Sequence, residues 1–284
     1  MDINQAKEIL AKNNGAHINK IFVPSLKEDI SFLPLTIGQK KTIAKIIIQN
    51  NTKNEDIDSY NILLAVINSL SQNKIDFSKI TEFDRILIIT EIIQNNFLDT
   101  PTYNIKCGQC KNEYTHKLDL NNFSKGLKEI KVINTEEYNF VDNDNNIKIE
   151  YNLPSVEDIL KYKVYLNDRK SIIKASVEIT DEQKENILKN IDDYSFNNEY
   201  PVMFIKKVFI NDDEIEKFNE LSIKEKLEFF DVFDYNAFFG EKGIFSMISI
   251  KYENITDKLL YDYNCPFCKN IIKEILDYKS FFYF

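Results

Sequence analysis

YNIKCGQCKNEYTHKLDL (103–120) and YDYNCPFCKNIIKEILDY (261–278) are two similar segments of this chain, and they decide the predicted fold. Cys265 lies 158 positions after Cys107, and at this offset seven of the eighteen positions are identical without a gap. Unrelated segments rarely share so many residues. The two segments therefore predict an internal duplication.

Each segment is expected to form a β-hairpin with the cysteine pair at its tip. Gly108 or Pro266 lies inside the turn, and alternating residues follow it as in a strand. A C-x-x-C turn supplies two thiolates, and a tetrahedral structural zinc ion takes four. Although about 150 residues separate the pairs, a duplicated fold can bring equivalent hairpins together. The predicted ligands of one structural Zn²⁺ are Cys107, Cys110, Cys265 and Cys268.

Three other interpretations of the cysteines stay open at this point. Each pair can bind metal separately with a further partner such as His116, or the thiols can be buried without metal. A thiol-disulfide enzyme would place its first cysteine at a helix N-terminus, where the helix dipole lowers the thiol pKa. Strand-like residues follow both pairs, which disfavours this redox interpretation.

The segments upstream of the hairpins also predict repeated elements. ISFLPLTIGQKKTIAK (30–45) and IKIEYNLPSVEDILKYKVY (147–165) both have the pattern of a strand, a Leu-Pro dipeptide, a helix cap and a helix. PVMFIKKVF (201–209) and LSIKEKLEFFDVF (221–233) are expected to correspond to the two later helices of the first half. The expected helix caps are Thr36 with Gln39, Thr81 with Asp84, Ser155 and Ser222.

The predicted fold class is therefore α+β, with two duplicated helical units that each carry a C-x-x-C zinc-knuckle β-hairpin. An N-terminal helix and lead-in are expected over residues 1–27. The first unit is expected over 28–126 with its knuckle at 107–110, and the second over 127–284 with its knuckle at 265–268.

Composition and motifs exclude several classes of function. The chain of 284 residues has a net charge of −9 without a basic run, so binding to nucleic acid is not expected. It holds two histidines, His17 and His116, and lacks the phosphate-loop, dinucleotide, zincin and hydrolase-elbow motifs, so we expect no enzyme. Neither a signal peptide nor an apolar stretch of membrane-spanning length is found, which predicts a protein made in the cytoplasm with no membrane partner.

Aromatic residues are concentrated in two further segments. FFDVFDYNAFFG (229–240) is expected to contribute to the core, and Phe281–Phe284 to dock as a strand.

Five short motifs occur along the chain: Pro24-Ser25, Thr36 with Gln39, ITEFDR ending at Asp84-Arg85, the first cysteine pair with Leu118-Asp119-Leu120, and the second pair ahead of SFFYF. Together they resemble the motifs of the baseplate hub and hub-assembly proteins of T-even-like contractile-tailed phages. Two departures from that family are IKEKLEFF (223–230) and the acidic-aromatic link from Asp181 to Tyr200.

The resemblance implies a non-enzymatic role in building the virion. Its expected partners are baseplate hub or tail-tube proteins, and its expected location is the baseplate of the virion and the host cytoplasm during assembly. The alternative function is a regulatory protein that binds nucleic acid through a zinc ribbon. That alternative predicts a basic, aromatic face on the ribbon, whereas IIKEILDY (271–278) is mixed in charge.

Overall fold

A computed structural model gives the fold, which is α+β. The residues that it describes are 2–6, 8–9, 19–49, 55–96, 102–128, 138–142, 146–256, 259–274, 276 and 278. Contacts divide the chain into two compact units. The first comprises Met1–Asn134 together with Asp257–Phe284, and the second comprises Thr135–Thr256.

Helices and short antiparallel strands alternate along the chain. Apart from the helical residues 3–6 and 8–9, the α-helices of the described ranges are α1 (Ile37–Gln49), α2 (Glu55–Leu70), α3 (Glu82–Asn96), α4 (Leu120–Lys128), α5 (Val156–Ala175), α6 (Asp181–Asn198), α7 (Ile223–Phe230), α8 (Tyr235–Phe239) and α9 (Ile244–Thr256). The strands there are β1 (Asn19–Val23), β2 (Glu28–Phe32), β3 (Thr102–Lys106), β4 (Glu113–Lys117), β5 (Tyr138–Asp142), β6 (Ile147–Tyr151), β7 (Ile205–Ile210), β8 (Asp213–Glu214), β9 (Tyr261–Asn264) and β10 (Ile271–Glu274).

Helix α3 is the centre of the first unit. Every residue from Phe83 to Ile93 is buried, because apolar side chains occur on all of its faces. The hairpin β1–β2 and helix α4 pack against it. Two further hairpins, β3–β4 and β9–β10, complete the described strands of this unit.

The polar side chains buried on α3 all have partners in the first unit. Burying an unpaired polar group costs several kcal/mol, so these contacts are needed for the helix to be central. The pairs are Asp84 with Ser25 and Thr81, Arg85 with Glu82, Thr90 with Tyr278, and Glu91 with Ser124 and Lys128.

The predicted helix starts are confirmed by reciprocal hydrogen bonds. In each, the cap hydroxyl accepts from a backbone N–H three residues on, and the side chain there accepts from the N–H of the cap. The four boxes are Thr36 with Gln39, Thr81 with Asp84, Ser155 with Asp158, and Ser222 with Glu225. The expected N-terminal helix is helical at residues 3–6 and 8–9, and the rest of it lies outside the described residues.

The second unit is built on an antiparallel sheet with strand order β5–β6–β7–β8. The prediction of a helix over 201–209 was wrong. A 3₁₀ turn at Tyr200–Phe204, with Pro201 in its first turn, leads directly into β7. Its inward residues Ile205 and Val208 are fully buried against β6, and pairing with that distant strand outweighs the local pattern.

The division into units differs from the predicted one at the C-terminal end. The segment from 127 to 284 was expected to form one unit with its own knuckle hairpin. Instead β9 and β10 belong to the first unit, beside β3 and β4, and the second unit is an insertion between them. Tyr278 anchors this returning segment, since it is 3% exposed and accepts a hydrogen bond from Thr90 at 3.2 Å.

Candidate metal centre

The first cysteine hairpin is closed by a compact turn. The N–H of Cys107 donates to the carbonyl of Asn112 at 3.0 Å, and the N–H of Lys111 donates back to the carbonyl of Cys107 at 2.9 Å. Lys111 has a φ of 62°, a left-handed conformation that reverses the chain. Strands β3 and β4 continue from this turn with Lys106 opposite Glu113.

The second cysteine hairpin has the same turn. Here the N–H of Cys265 donates to the carbonyl of Asn270, and that of Lys269 donates to the carbonyl of Cys265, both at 2.9 Å. Lys269 also has a φ of 62°. The lysine and asparagine that the two sequence segments share therefore occupy equivalent places in both turns, which explains why these positions match.

All four predicted ligands meet at one point within the first unit. Their Sγ atoms lie within 4.8 Å of one another. Cys107 approaches Cys268 at 3.7 Å and Cys110 approaches Cys265 at 3.6 Å, so the first cysteine of each pair contacts the second of the other. All four are free thiols. This cluster can hold one metal ion, and it is the one such group of His, Cys, Asp and Glu found among the described residues.

Backbone donors and burial shift the pKa values of these thiols in opposite directions. N–H groups of Cys110 and Gln109 point at Cys107 and lower the pKa of its thiol to about 6 against the effect of burial. Burial opposes ionisation of Cys265 as well, but N–H groups of Cys268 and Phe267 outweigh it and lower the pKa.

The pKa of the Cys268 thiol is shifted in the opposite direction from that of Cys107. The N–H of Asn270 favours its thiolate, but burial and the neighbouring cysteine sulfurs outweigh that donor and raise the pKa to about 12. The cluster therefore resists carrying four negative charges by itself, and a divalent cation would relieve that repulsion.

Aromatic side chains pack the two hairpins against each other. The ring of His116 on β4 stacks on Tyr263 of β9, with ring centroids 5.3 Å apart and an angle of 30° between the planes. Tyr114 meets Phe267 edge-on at 6.1 Å. His116 is thus a packing residue, and the possibility that it completes a separate two-cysteine site is not supported by its position.

Sequence analysis did not identify the contacts that fix the second hairpin to the first unit. The hydroxyl of Tyr261 accepts a hydrogen bond from the N–H of Asp119 at 2.6 Å, and its ring packs edge-on against Phe123 at 5.6 Å. Tyr261 is one of the seven residues that the two segments share, since it matches Tyr103. This match was the signal in the sequence that could have identified Tyr261 as a contact residue. The repeat alone does not show which partner each tyrosine contacts.

The arrangement around the cysteines favours metal binding over redox chemistry. In both pairs a strand follows the second cysteine, so neither pair lies at the N-terminus of a helix. The first cysteine of each pair, Cys107 and Cys265, has 0% exposure, which keeps solution partners from its sulfur.

Comparison with known proteins gives no relative: no protein-family model, no curated protein and no solved structure matches this chain. Among the helices that the structure describes, none is long and apolar enough to cross a membrane.

Proposed function

We propose that this chain is a non-enzymatic structural or assembly protein of a contractile-phage baseplate, stabilised by one structural zinc ion. Cys107, Cys110, Cys265 and Cys268 hold the ion. A zinc–sulfur bond of about 2.3 Å gives a tetrahedron whose sulfur atoms are about 3.8 Å apart. Two of the six separations between sulfurs, 3.6 and 3.7 Å, are close to that value and all six are within 4.8 Å, and this is the observation that carries the zinc proposal.

The ligand set supports a structural role for the ion. Four thiolates fill a tetrahedral site and leave no position for water or substrate. The bound ion would join two hairpins that precede and follow the inserted second unit in the sequence. Elemental analysis of the purified protein is expected to find one zinc per chain, and iron in its place or no stoichiometric metal would refute this assignment.

The two cysteine hairpins support an ancestral duplication of that module. They share the turn hydrogen bonds, the left-handed lysine and seven residues of sequence. We propose that a single knuckle hairpin was duplicated and that its two copies form one site. Duplication of the helical units upstream is a weaker part of the proposal, because 201–209 forms a 3₁₀ turn and a strand where the first half has helix α2.

The baseplate role rests on motifs that contact each other in the first unit. Ser25, from the Pro24-Ser25 motif, donates through its hydroxyl and its N–H to the carboxylate of Asp84, from the ITEFDR motif. The Asp84 carboxylate is 1% exposed and also accepts from Thr81. Motifs separated by 59 residues thus build one buried polar cluster, which supports their belonging to a single structural signature.

Co-expression with the baseplate hub and tail-tube genes of the same phage tests this role. The protein is expected to co-purify in a defined ratio with one of their products and to be present in the virion baseplate or in its assembly intermediates in the host cytoplasm. Failure to bind any of those products, with zinc content and folding intact, would refute the baseplate role and leave the metal assignment standing.

Nucleic-acid binding through the cysteine hairpins has less support. Acidic residues are interspersed with the lysines on these hairpins, and Lys106 pairs with Glu113 at 3.0 Å. Binding to phosphates would give an affinity that falls steeply with salt. A steep salt-dependent affinity for single- or double-stranded nucleic acid would favour this alternative over the baseplate role.

A further inference from the structure

An open cleft of about 930 Å³ lies in the second unit, remote in sequence from the cysteines. Helix α5 and the end of α6 form one wall, and α7 with the segment through α8 forms the other. Aromatic side chains line it, and large apolar pockets with a few polar groups are typical of binding sites.

The apolar lining extends outward to solvent. Ile172 on α5 is 69% exposed, Tyr194 on α6 is 56% exposed and Phe239 on α8 is 36% exposed, and all three line the cleft. Single exposed apolar residues are ordinary on protein surfaces, but three from three helices around one cleft indicate a contact surface.

The cleft floor is held in place by packed rings. Phe230 and Phe238 have centroids 4.6 Å apart, and Phe238 meets Phe245 edge-on at 5.3 Å. Such interlocked rings allow little movement, so a partner would find the floor already formed. Preformed aromatic pockets supply much of the binding free energy at protein interfaces.

The positive charge of Arg169, in the wall of the cleft, is already neutralised. Arg169 forms an ion pair with Glu199, which is 8% exposed and also accepts a hydrogen bond from Ser195. An anionic ligand would have to displace that carboxylate, and Lys224, the other basic residue of the lining, lies 3.5 Å from the carboxylate of Glu228, so the cleft does not favour anions.

The rim carries acidic side chains without basic partners. Asp168, Asp231 and Asp234 are exposed and line the cleft, and none of them forms an ion pair within the described part of the chain. The whole second unit is acidic, with 26 of the 45 Asp and Glu residues but 15 of the 36 Lys and Arg. Its net charge is therefore −11, against +2 for the first unit.

We propose that this cleft binds an amphipathic helix of another protein, with large apolar side chains on one face and lysine or arginine beside them. Such helices place apolar anchors three, four and seven residues apart into a groove. A second copy of this chain is disfavoured because two units of charge −11 repel, and an uncharged apolar ligand would gain nothing from the negative charge of the three aspartates. The inference rests on the proposed protein-binding role and identifies a surface for it.

A labelled synthetic peptide tests the proposal on the full chain. The probe is an 18-residue helical design with leucine and phenylalanine on one face and lysine on its flanks. Two matched peptides replace either the apolar residues by serine or the lysines by glutamate. Fluorescence anisotropy is expected to show binding of the first peptide and at least tenfold weaker binding of both others.

Variants then locate the binding surface. Ile172→Glu is expected to weaken binding at least tenfold, while Val177→Glu, which adds the same charge at a residue 96% exposed and outside the cleft, changes it less than twofold. Asp168→Lys is expected to weaken binding severalfold and to reduce its salt dependence. Equal binding by the wild type and Ile172→Glu would overturn the proposal, as would a preference for the glutamate peptide.

Further measurements separate this inference from self-association and from the proposed function. If sedimentation shows a dimer that Ile172→Glu dissociates, the occupant is a second copy and the proposal is wrong. Missing zinc, or a chain that binds no baseplate protein, would refute the proposed function without changing the peptide result. Conversely, unchanged peptide binding by Ile172→Glu would refute the proposed role of the cleft and leave the proposed function standing.

Discussion

Replacing Cys107 by serine is expected to remove the zinc-dependent part of the first unit's stability. The Cys107 sulfur is fully buried, contacts Cys268 at 3.7 Å and accepts backbone N–H groups that favour the thiolate. A serine hydroxyl is shorter and stays protonated at neutral pH, so it cannot replace a thiolate ligand of zinc. The other three sulfurs would remain, but with an incomplete tetrahedron around the ion.

The size of the effect follows from mass action. At a free zinc concentration 100-fold above the dissociation constant, binding stabilises the folded state by about 2.7 kcal/mol, and each further tenfold adds about 1.4 kcal/mol. The first unit has about 160 residues, a size at which 1 kcal/mol changes the melting temperature by about 2–4 °C. Wild-type protein should therefore melt about 5–11 °C higher than Cys107→Ser at that zinc concentration.

Calorimetry in zinc buffers of stepped free concentration measures this directly. The wild-type transition is expected to rise by about 3–6 °C for each tenfold increase of free zinc, whereas that of Cys107→Ser stays constant. Gly108→Ser is the matched control, since it introduces the same residue one position away, where a side chain meets nothing within 4 Å. A zinc-independent wild-type transition, or equal zinc responses of Cys107→Ser and Gly108→Ser, would refute the shared metal site.

Three further predictions concern buried polar groups. Burial lowers the pKa of Lys226 to about 8 from its ordinary 10.5, so the folded state holds this proton less tightly than the unfolded state. The charged lysine therefore destabilises the folded state, and this cost is complete below pH 8. Lys226→Met should therefore stabilise the second unit by about 1–3 kcal/mol at pH 7, and the gain should disappear as the pH rises from 8 to 10.5. Urea unfolding measures it, and Lys224→Met on the same helix, at an exposed lysine, should give less than half of that gain. Thr90→Val removes the 3.2 Å hydrogen bond to Tyr278 and should cost about 1 kcal/mol in the first unit, visible as earlier proteolysis of the C-terminal segment; equal cleavage rates would contradict the anchoring role. Arg85→Met removes the cation beside Glu82, whose carboxylate keeps the hydrogen bond from Tyr60, and should cost about 1.5–3 kcal/mol in chemical denaturation, so a change below 1 kcal/mol would show that the pair contributes little.

Features encoded by neighbouring residues were predictable from the sequence. The four ligands, the two turns and the helix caps follow from residues three to five positions apart, such as Ser222 with Glu225. The helix in the acid-rich stretch after Asp181 was predictable only in part. Thr180 and Gln183 form a capping box there, yet the segment was interpreted as a link instead of helix α6.

Features that depend on distant partners were not predictable. Strand β7 has two lysines between its buried residues and gains its conformation by pairing with β6, about 60 positions earlier in the chain. The return of residues 257–284 to the first unit depends on Tyr261 and Tyr278 finding partners near Asp119 and Thr90. The expected docking of Phe281–Phe284 lies outside the described residues and stays a prediction.

The insertion of the second unit between the two hairpins imposes an order on the chain as a ribosome makes it. Cys110 is synthesised 155 residues before Cys265, which at about 5–20 residues per second corresponds to a delay of about 8–30 s. During that time the first pair has two thiols but no tetrahedral site. Completion of the first unit must wait until the second cysteine pair has been made, while the inserted unit, whose residues are contiguous, has all of its chain available earlier.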